Sequence, residues 1–392
     1  MALTSVRKAN TETFFRDGEQ LAKWVYSADG ASVKKEGEKI TGEVETIFME
    51  PGGKSRQIKC FYSGNELSSG TYLLCSEQGG IIQEVEYKNG VPDGPVRIFY
   101  PSGKLKYEGS YKSGVPQWDS KTYYETGTVQ TNKTTDSGIQ MYAGYYVSGA
   151  KEVEMSYKSG KEQGPFRIFF ESGAVKVEGT NFEGKRQGLY RIYHENGKVK
   201  MEGRYENGMS EGLFTVYSDA GRVVMEETYK EGKPNGPKRT FYDSGKVKTE
   251  NDCIGGVEKG KFKIYYEEGG VKVEGEFING KENGPYRIFY KTGELKIEGH
   301  YKDGVEEGPY KLFYKSGKLQ IQGQYKAGRE DGDFTLFYES GAVKAKETFK
   351  EGKQEGMFKV FYESGKLMEQ RMYKNGEIAA AQKWDEEGKE IK

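Results

Sequence analysis

The groups that could carry acid–base, nucleophilic or metal chemistry in this chain are two histidines, three cysteines and 60 Asp and Glu side chains. An imidazole acts as a general base or a metal ligand only when a second polar group stands at a suitable spacing. His194 occupies a position that holds Tyr in other parts of the chain, and His300 stands among alternating charges. Neither has a nucleophile or ligand at motif spacing. Cys60, Cys75 and Cys253 are too few and too irregular for a disulfide framework or a metal knuckle, and read as free thiols. The carboxylates recur opposite Lys and Arg, as a solvated sheet face requires. No glycine cluster opens a helix, so a phosphate-cradling loop is not expected. The expectation is a protein with no catalytic residues, no metal and no cofactor, and a small-molecule substrate is disfavoured.

What does recur is a chemistry of recognition. An aromatic column runs through Phe99, Tyr123, Tyr145, Phe169, Tyr193, Tyr217, Phe241, Tyr265, Phe289, Phe313, Phe337 and Phe361. Two residues before these rings stand cations, among them Arg167, Arg191, Arg239, Arg287 and Lys311. Rings beside cations either stack across strands and stiffen a sheet or face a ligand. As a partner-binding stripe, its centre is Phe289, Phe313 and Phe337 with Arg287 and Lys311 at the edge.

The element that positions these columns is a repeat. Gly149, Gly173, Gly197, Gly221, Gly245, Gly269, Gly293, Gly317, Gly341 and Gly365 recur every 24 residues, and Gly79 and Gly103 keep the interval upstream. From Gly293 to Lys315, Leu295, Ile297 and Tyr301 share one parity while Lys296, Glu298 and His300 share the other, which predicts a strand with two unlike faces. Asp303-Gly304 gives a turn signal, and Tyr310 to Lys315 reads as the returning strand. Gly293, Gly304, Gly308, Gly317, Gly328 and Gly332 are read as turn glycines. Gly179, Gly203, Gly275, Gly299 and Gly323 fall on the packed face, where a missing side chain leaves room for a neighbouring ring. Glu227, Asn251, Glu347 and Arg371 interrupt that column, and packing is expected to loosen there.

With 60 basic and 60 acidic residues the formal charge is zero, which argues against a global field drawing the chain to nucleic acid or an anionic membrane. A mean hydropathy of −0.84 by itself suggests disorder, but 30 Tyr and 20 Phe are too many for a disordered chain. Met1 to Asn10 hold no signal-peptide run, and no stretch approaches the ~18–20 apolar residues of a membrane span, so a cytoplasmic location is expected.

The unit Ser-Gly-Lys-Leu-Lys-x-Glu-Gly-x-Tyr-Lys-x-Gly-x-x-x-Gly-Pro-Tyr-x-x-Phe-Tyr resembles the MORN repeat, and more closely the bacterial variant found in proteins labelled YwqK-type antitoxins. The resemblance covers about Gly79 to Gly388, with worn copies reaching back to about Phe14. Eukaryotic relatives commonly carry Trp in the unit, whereas this chain has only Trp24, Trp118 and Trp384. That scarcity also separates it from choline-binding repeats, whose cages need paired Trp and Tyr. The resemblance implies a single-layer meander of hairpins forming a twisted trough, no catalytic residues and no cofactor. Its members act as scaffolds and partner-binding platforms, some of them linked to membranes.

The fold class expected is therefore all-β, an elongated single-layer antiparallel meander of about 15–16 tandem hairpins and about 30 strands. Residues 1–13 are read as a leader, 14–148 as degenerate repeats, 149–376 as regular repeats and 377–392 as a capping hairpin. Gly30 and Gly53 look like worn markers, and Trp118 stands where a glycine belongs. The function expected is a non-enzymatic scaffold that binds a protein partner or a second copy of itself along the sheet, in the manner of an antitoxin-like component. The alternative is a module for a membrane surface or phospholipid headgroup, and nucleic acid is disfavoured.

Overall fold

The computed structural model describes residues 3–8, 11–27, 32–49, 55–76 and 80–391. The chain is all-β: among the described residues there are 41 strands and no helix, so none is long and apolar enough to cross a membrane. The strands form tandem hairpins in mostly antiparallel ladders. Their number exceeds the expected 30 or so because the returning strand of many repeats is split in two. Two compact units are present, Met1–Gln187 with Glu195–Gly197, and Gly188–His194 with Lys198–Lys392.

The first unit begins with β1 (Leu3–Lys8), β2 (Thr11–Arg16), β3 (Glu19–Tyr26), β4 (Val33–Gly37), β5 (Gly42–Met49), β6 (Ser55–Ser63), β7 (Glu66–Cys75) and β8 (Ile81–Lys88). Hydrogen bonding orders them β4-β3-β2-β1-β5-β6-β7-β8. Residues 3–8, which the sequence set apart as a leader, thus form an internal strand with Ser5 and Arg7 buried. The pairing of β1 with β5 is parallel, from Leu3↔Val44 to Lys8↔Met49, and departs from a simple meander. Trp24 on β3 packs against Tyr62 on β6 with ring centroids 5.4 Å apart, although three strands separate them in the sheet. The sheet must curl for that contact. It encloses Phe14, Ile40, Val44, Phe48 and Leu73, each at most 1% exposed. Gly30, Gly53 and Gly79 lie outside the described residues.

In the second unit the repeat is built as follows. Leu295–Lys302 pairs antiparallel with Gly284–Phe289 on one side and with Val305–Glu306 and Gly308–Phe313 on the other. Asp303 and Gly304, at φ +53° and +85°, make the two-residue turn from Lys302 to Val305; both residues are left-handed, as a type I′ hairpin requires. At the other end Gly293 donates to the Tyr290 carbonyl at 2.9 Å, and Tyr290 donates to the Glu294 carbonyl at 2.8 Å. Gly317 closes the equivalent turn, and Gly328 the next hairpin tip.

Gly308 and Gly332 differ from the turn assignment made above. Both have positive φ, but they sit at a bulge inside the returning strand. Between the pairs Tyr301↔Glu306 and Glu298↔Lys311, the two residues Gly299 and His300 face four, Glu307 to Tyr310. The extra backbone is what splits the strand.

The face glycines lie under rings. A Cβ built on Gly203, Gly275, Gly299 or Gly323 would come within 3.0 Å of the ring of Phe214, Phe262, Tyr286 or Phe334. At two of the interruptions, Glu227 and Glu347, the ring covers the glycine on its other flank. Phe214 stands in register with Glu227 yet covers Gly203, and Phe334 stands in register with Glu347 yet covers Gly323. Ring packing therefore continues past Glu227 and Glu347, and the interrupting side chains make polar bonds. Glu227 accepts from Tyr229 at 2.6 Å, Asn251 donates to Glu258 at 3.1 Å, and Glu347 accepts from Gln354 at 2.8 Å.

Candidate functional site

Strand alternation places Arg287 and Phe289 on the face opposite Tyr286 and Ile288. Arg287 lies in register with Glu274 on one neighbouring strand and Glu298 on the other, and Lys311 faces Glu298 from the next strand. Arg287 Nη1 is 3.5 Å from Glu274 and its Nη2 is 3.4 Å from Glu298, while Lys311 Nζ is 3.9 Å from the same Glu298. The side chains of both cations are about half exposed. Pairs this open are each worth about 0–1 kcal/mol, so their main effect is to hold long side chains in a fixed row.

Phe289, Phe313 and Phe337 are brought onto this same face, and all three are half-buried. Their backbone is pinned from the preceding repeat. Tyr266 donates to the Phe289 carbonyl, Tyr290 to that of Phe313 and Tyr314 to that of Phe337, each at 2.8 Å. His194 stands in this column and its Nε2 lies 3.1 Å from the Tyr217 carbonyl, so the histidine makes the structural bond that Tyr266, Tyr290 and Tyr314 make. Where the outer ring is itself a tyrosine, it meets the carboxylate ladder. Tyr217 donates to Glu202 at 2.8 Å and Tyr265 donates to Glu250. Burial, with the adjacent Glu250, pushes the Tyr265 hydroxyl up to about 12.

Other large apolar side chains are more open to solvent. Val257, Ile278 and Val305 flank the two-residue turns, and Met357 faces Met372 in register with both exposed. The sequence reading did not single them out, although their place beside each turn signal was available. The tips are also braced from the preceding repeat. Gly304 and Gly328 donate to the carbonyls of Glu282 and Glu306 at 2.8 and 2.9 Å, and the Ala327 amide donates to the Glu307 carboxylate at 2.8 Å. That second bond helps a non-glycine residue hold φ +50° at Ala327.

His300 is exposed and pairs in the ladder with Pro285. The three cysteines are buried and unbridged, and burial pushes the Cys60 thiol up to about 12. Trp118 donates to the Met141 carbonyl at 3.3 Å and packs against Tyr157. Among the described residues no group of three or more His, Cys, Asp or Glu side chains is placed to hold a metal ion.

Seven segments, residues 92–113, 186–207, 258–279, 282–303, 306–327, 330–351 and 354–375, match the family described as MORN repeat variant. No curated protein matches the chain. Among solved structures, it is similar to the Tc holotoxin pore of Photorhabdus luminescens carrying a TccC3 mutation, at 10% identity and a TM-score of 0.17, over 92% of this chain and 24% of that one. It is also similar to the TcdB2–TccC3–Cdc42 structure, at 10% identity and a TM-score of 0.16, over 95% of this chain and 30% of the other. The chain thus spans a quarter to a third of the solved chains it matches, and superposition scores this low carry no argument about function.

Proposed function

We propose, from the seven segments that match the MORN repeat variant, that this chain is a non-enzymatic scaffold whose regular repeats hold a protein partner, or a second copy of the chain, along one sheet face. The observation that supports this most is the tyrosine bond to the carbonyl of the outer ring in the next repeat. Made alike at Phe289, Phe313 and Phe337, it sets three half-buried rings at a constant interval, the first two flanked by Arg287 and Lys311. A row of that kind suits a long partner surface contacted once per repeat, with ring anchors and a charged rim. In the finer form of this reading the partner is a toxin and the chain neutralises it by occupying its surface.

The test is a variant with Phe289, Phe313 and Phe337 all changed to Ser, compared with the parent by cross-linking and affinity capture for a partner and by sedimentation for self-association. Association should fall by more than tenfold while the unfolding midpoint of the array stays near the parent's. Undiminished association would refute this face as the binding surface.

A further inference from the structure

We propose that the sheet face carrying Arg287 and Phe289 docks, over residues 319–374, a Glu- and Asp-rich segment of a protein partner; this rests on the scaffold reading and names the chemistry of what that face holds. Along the middle row of the face, acids and bases alternate from strand to strand. Glu154 stands in register with Arg167 and Arg167 with Glu178, as Glu274 does with Arg287 and Arg287 with Glu298. The carboxylates stop at Glu298. In the repeats that follow, the same position holds Gln322, Lys346 and Gln370. Lys346 therefore stands directly opposite Lys359, where the earlier repeats set an acid against a base.

Two further like-charge pairs lie on this face at neighbouring hairpin tips. Lys326 opposes Arg329 and Lys350 opposes Lys353, and strand alternation keeps Lys350 on the side of Lys346. Like charges directly opposite one another destabilise a sheet, yet among the described residues none of these six side chains makes an ion pair. All but Lys359 are exposed. The carboxylates nearby are engaged otherwise. Asp333 shares the face but accepts from Thr348 at 2.8 Å, Glu355 accepts from the Asn375 amide at 2.8 Å, and Glu330 stands in register with Tyr325 on the packed face. Glu351, in the turn between Lys350 and Lys353, offsets part of the charge at one tip. What completes such a row is shown within the array itself: Arg287 lies between two carboxylates, at 3.5 and 3.4 Å. An acidic segment supplies across an interface what the glutamate column supplies from within as far as Glu298. Lys346 and Lys350, four residues apart on one strand, set two rows of cations about 13 Å apart, so the matching surface is a stretch of several carboxylates and not a single anion.

The experiment follows the anisotropy of a short labelled poly-L-glutamate added to the full chain at low salt, with polyuridylate and phosphatidylserine vesicles as the other anionic probes. Polyglutamate should bind most tightly of the three, and should weaken as salt screens the exposed charges. Lys346→Glu restores an acid opposite Lys359, so its unfolding midpoint should equal or exceed the parent's while binding weakens. Combined with Lys350→Gln and Lys353→Gln, it should weaken polyglutamate by about tenfold or more. Lys263→Gln, in the part of the row where Glu250 and Glu274 flank the cation, should change nothing. Changing Phe289, Phe313 and Phe337 to Ser, the test of the scaffold reading, should leave polyglutamate binding intact, so the two readings fail separately. The proposal is overturned if polyglutamate does not bind at low salt, if the triple lysine variant binds it like the parent, if polyuridylate or the vesicles bind more tightly, or if Lys346→Glu instead splits a dimer of the chain in sedimentation.

Discussion

Substituting Gly299 by Ala tests whether the face glycines exist to admit rings. Gly299 is buried, and a Cβ there would stand 2.5 Å from Cε1 of Tyr286, whose side chain is 6% exposed and whose hydroxyl donates to Glu306 at 2.6 Å. The ring must move. A buried tyrosine covers roughly 150–250 Å², worth about 4–6 kcal/mol at ~25 cal/mol per Å², and a displacement that uncovers half of it loses about 2–3 kcal/mol. Alanine recovers about 0.5–1 kcal/mol over glycine in a strand, leaving a net destabilisation of about 2 kcal/mol. In a Tyr286→Ala background the ring is gone, so the same change should be neutral or mildly stabilising, giving a coupling of about 2–3 kcal/mol in the double-mutant cycle. Hydrogen exchange in Gly284–Phe289 and Leu295–Lys302 localises the effect, with about thirtyfold faster exchange for 2 kcal/mol. If Gly299→Ala were harmless, or equally harmful in both backgrounds, the ring-over-glycine account would be wrong.

At the hairpin tips, Gly304→Val should destabilise by about 1 kcal/mol or more because a β-branched residue is strained at φ +85°. Gly328→Val should be worse, since its Cβ position is already 3.2 Å from Val305 Cγ1; equal denaturant midpoints for parent and both variants would refute this. His194→Tyr should preserve stability by keeping a bond to the Tyr217 carbonyl, His194→Ala should lose about 1 kcal/mol, and His300→Ala should leave both stability and partner binding unchanged. Alkaline pH should weaken the fold. Burial, with the neighbouring Glu108, Glu227 and Glu250, pushes Tyr123, Tyr229 and Tyr265 up to about 12, and burial with Glu330 does the same to Tyr325. Their unfolded value is about 10, so the native state favours the neutral phenol, and its stabilisation is complete below about pH 10 and lost between about pH 10 and 12. A denaturant midpoint that stayed constant across that window would exclude the effect.

The periodic signal in the sequence determined the strand faces, the hairpin tips at Asp303-Gly304 and the pairing of Gly299 with a ring, because each depends on spacing within one repeat or between adjacent repeats. It also placed Arg287, Lys311 and the three phenylalanines on one face, since side chains alternate along a strand. It did not determine that the rings there are half-buried while Val257, Ile278 and Val305 stand open. Burial depends on what neighbouring strands lay over a side chain, as the tyrosine bonds to the Phe313 and Phe337 carbonyls show. Nor could it show Gly308 as a bulge, because positive φ suits a turn and a bulge alike. The interruptions at Glu227 and Glu347 were visible, but the choice of each ring between its two flanks was made by the space over Gly203 and Gly323. The first unit was least legible. There the parallel pairing of β1 with β5 joins segments about forty residues apart with no repeat to announce the partner. The curl that follows is what gathers Trp24, Tyr62 and Tyr72 around one cavity, a convergence of distant residues that no local spacing encodes.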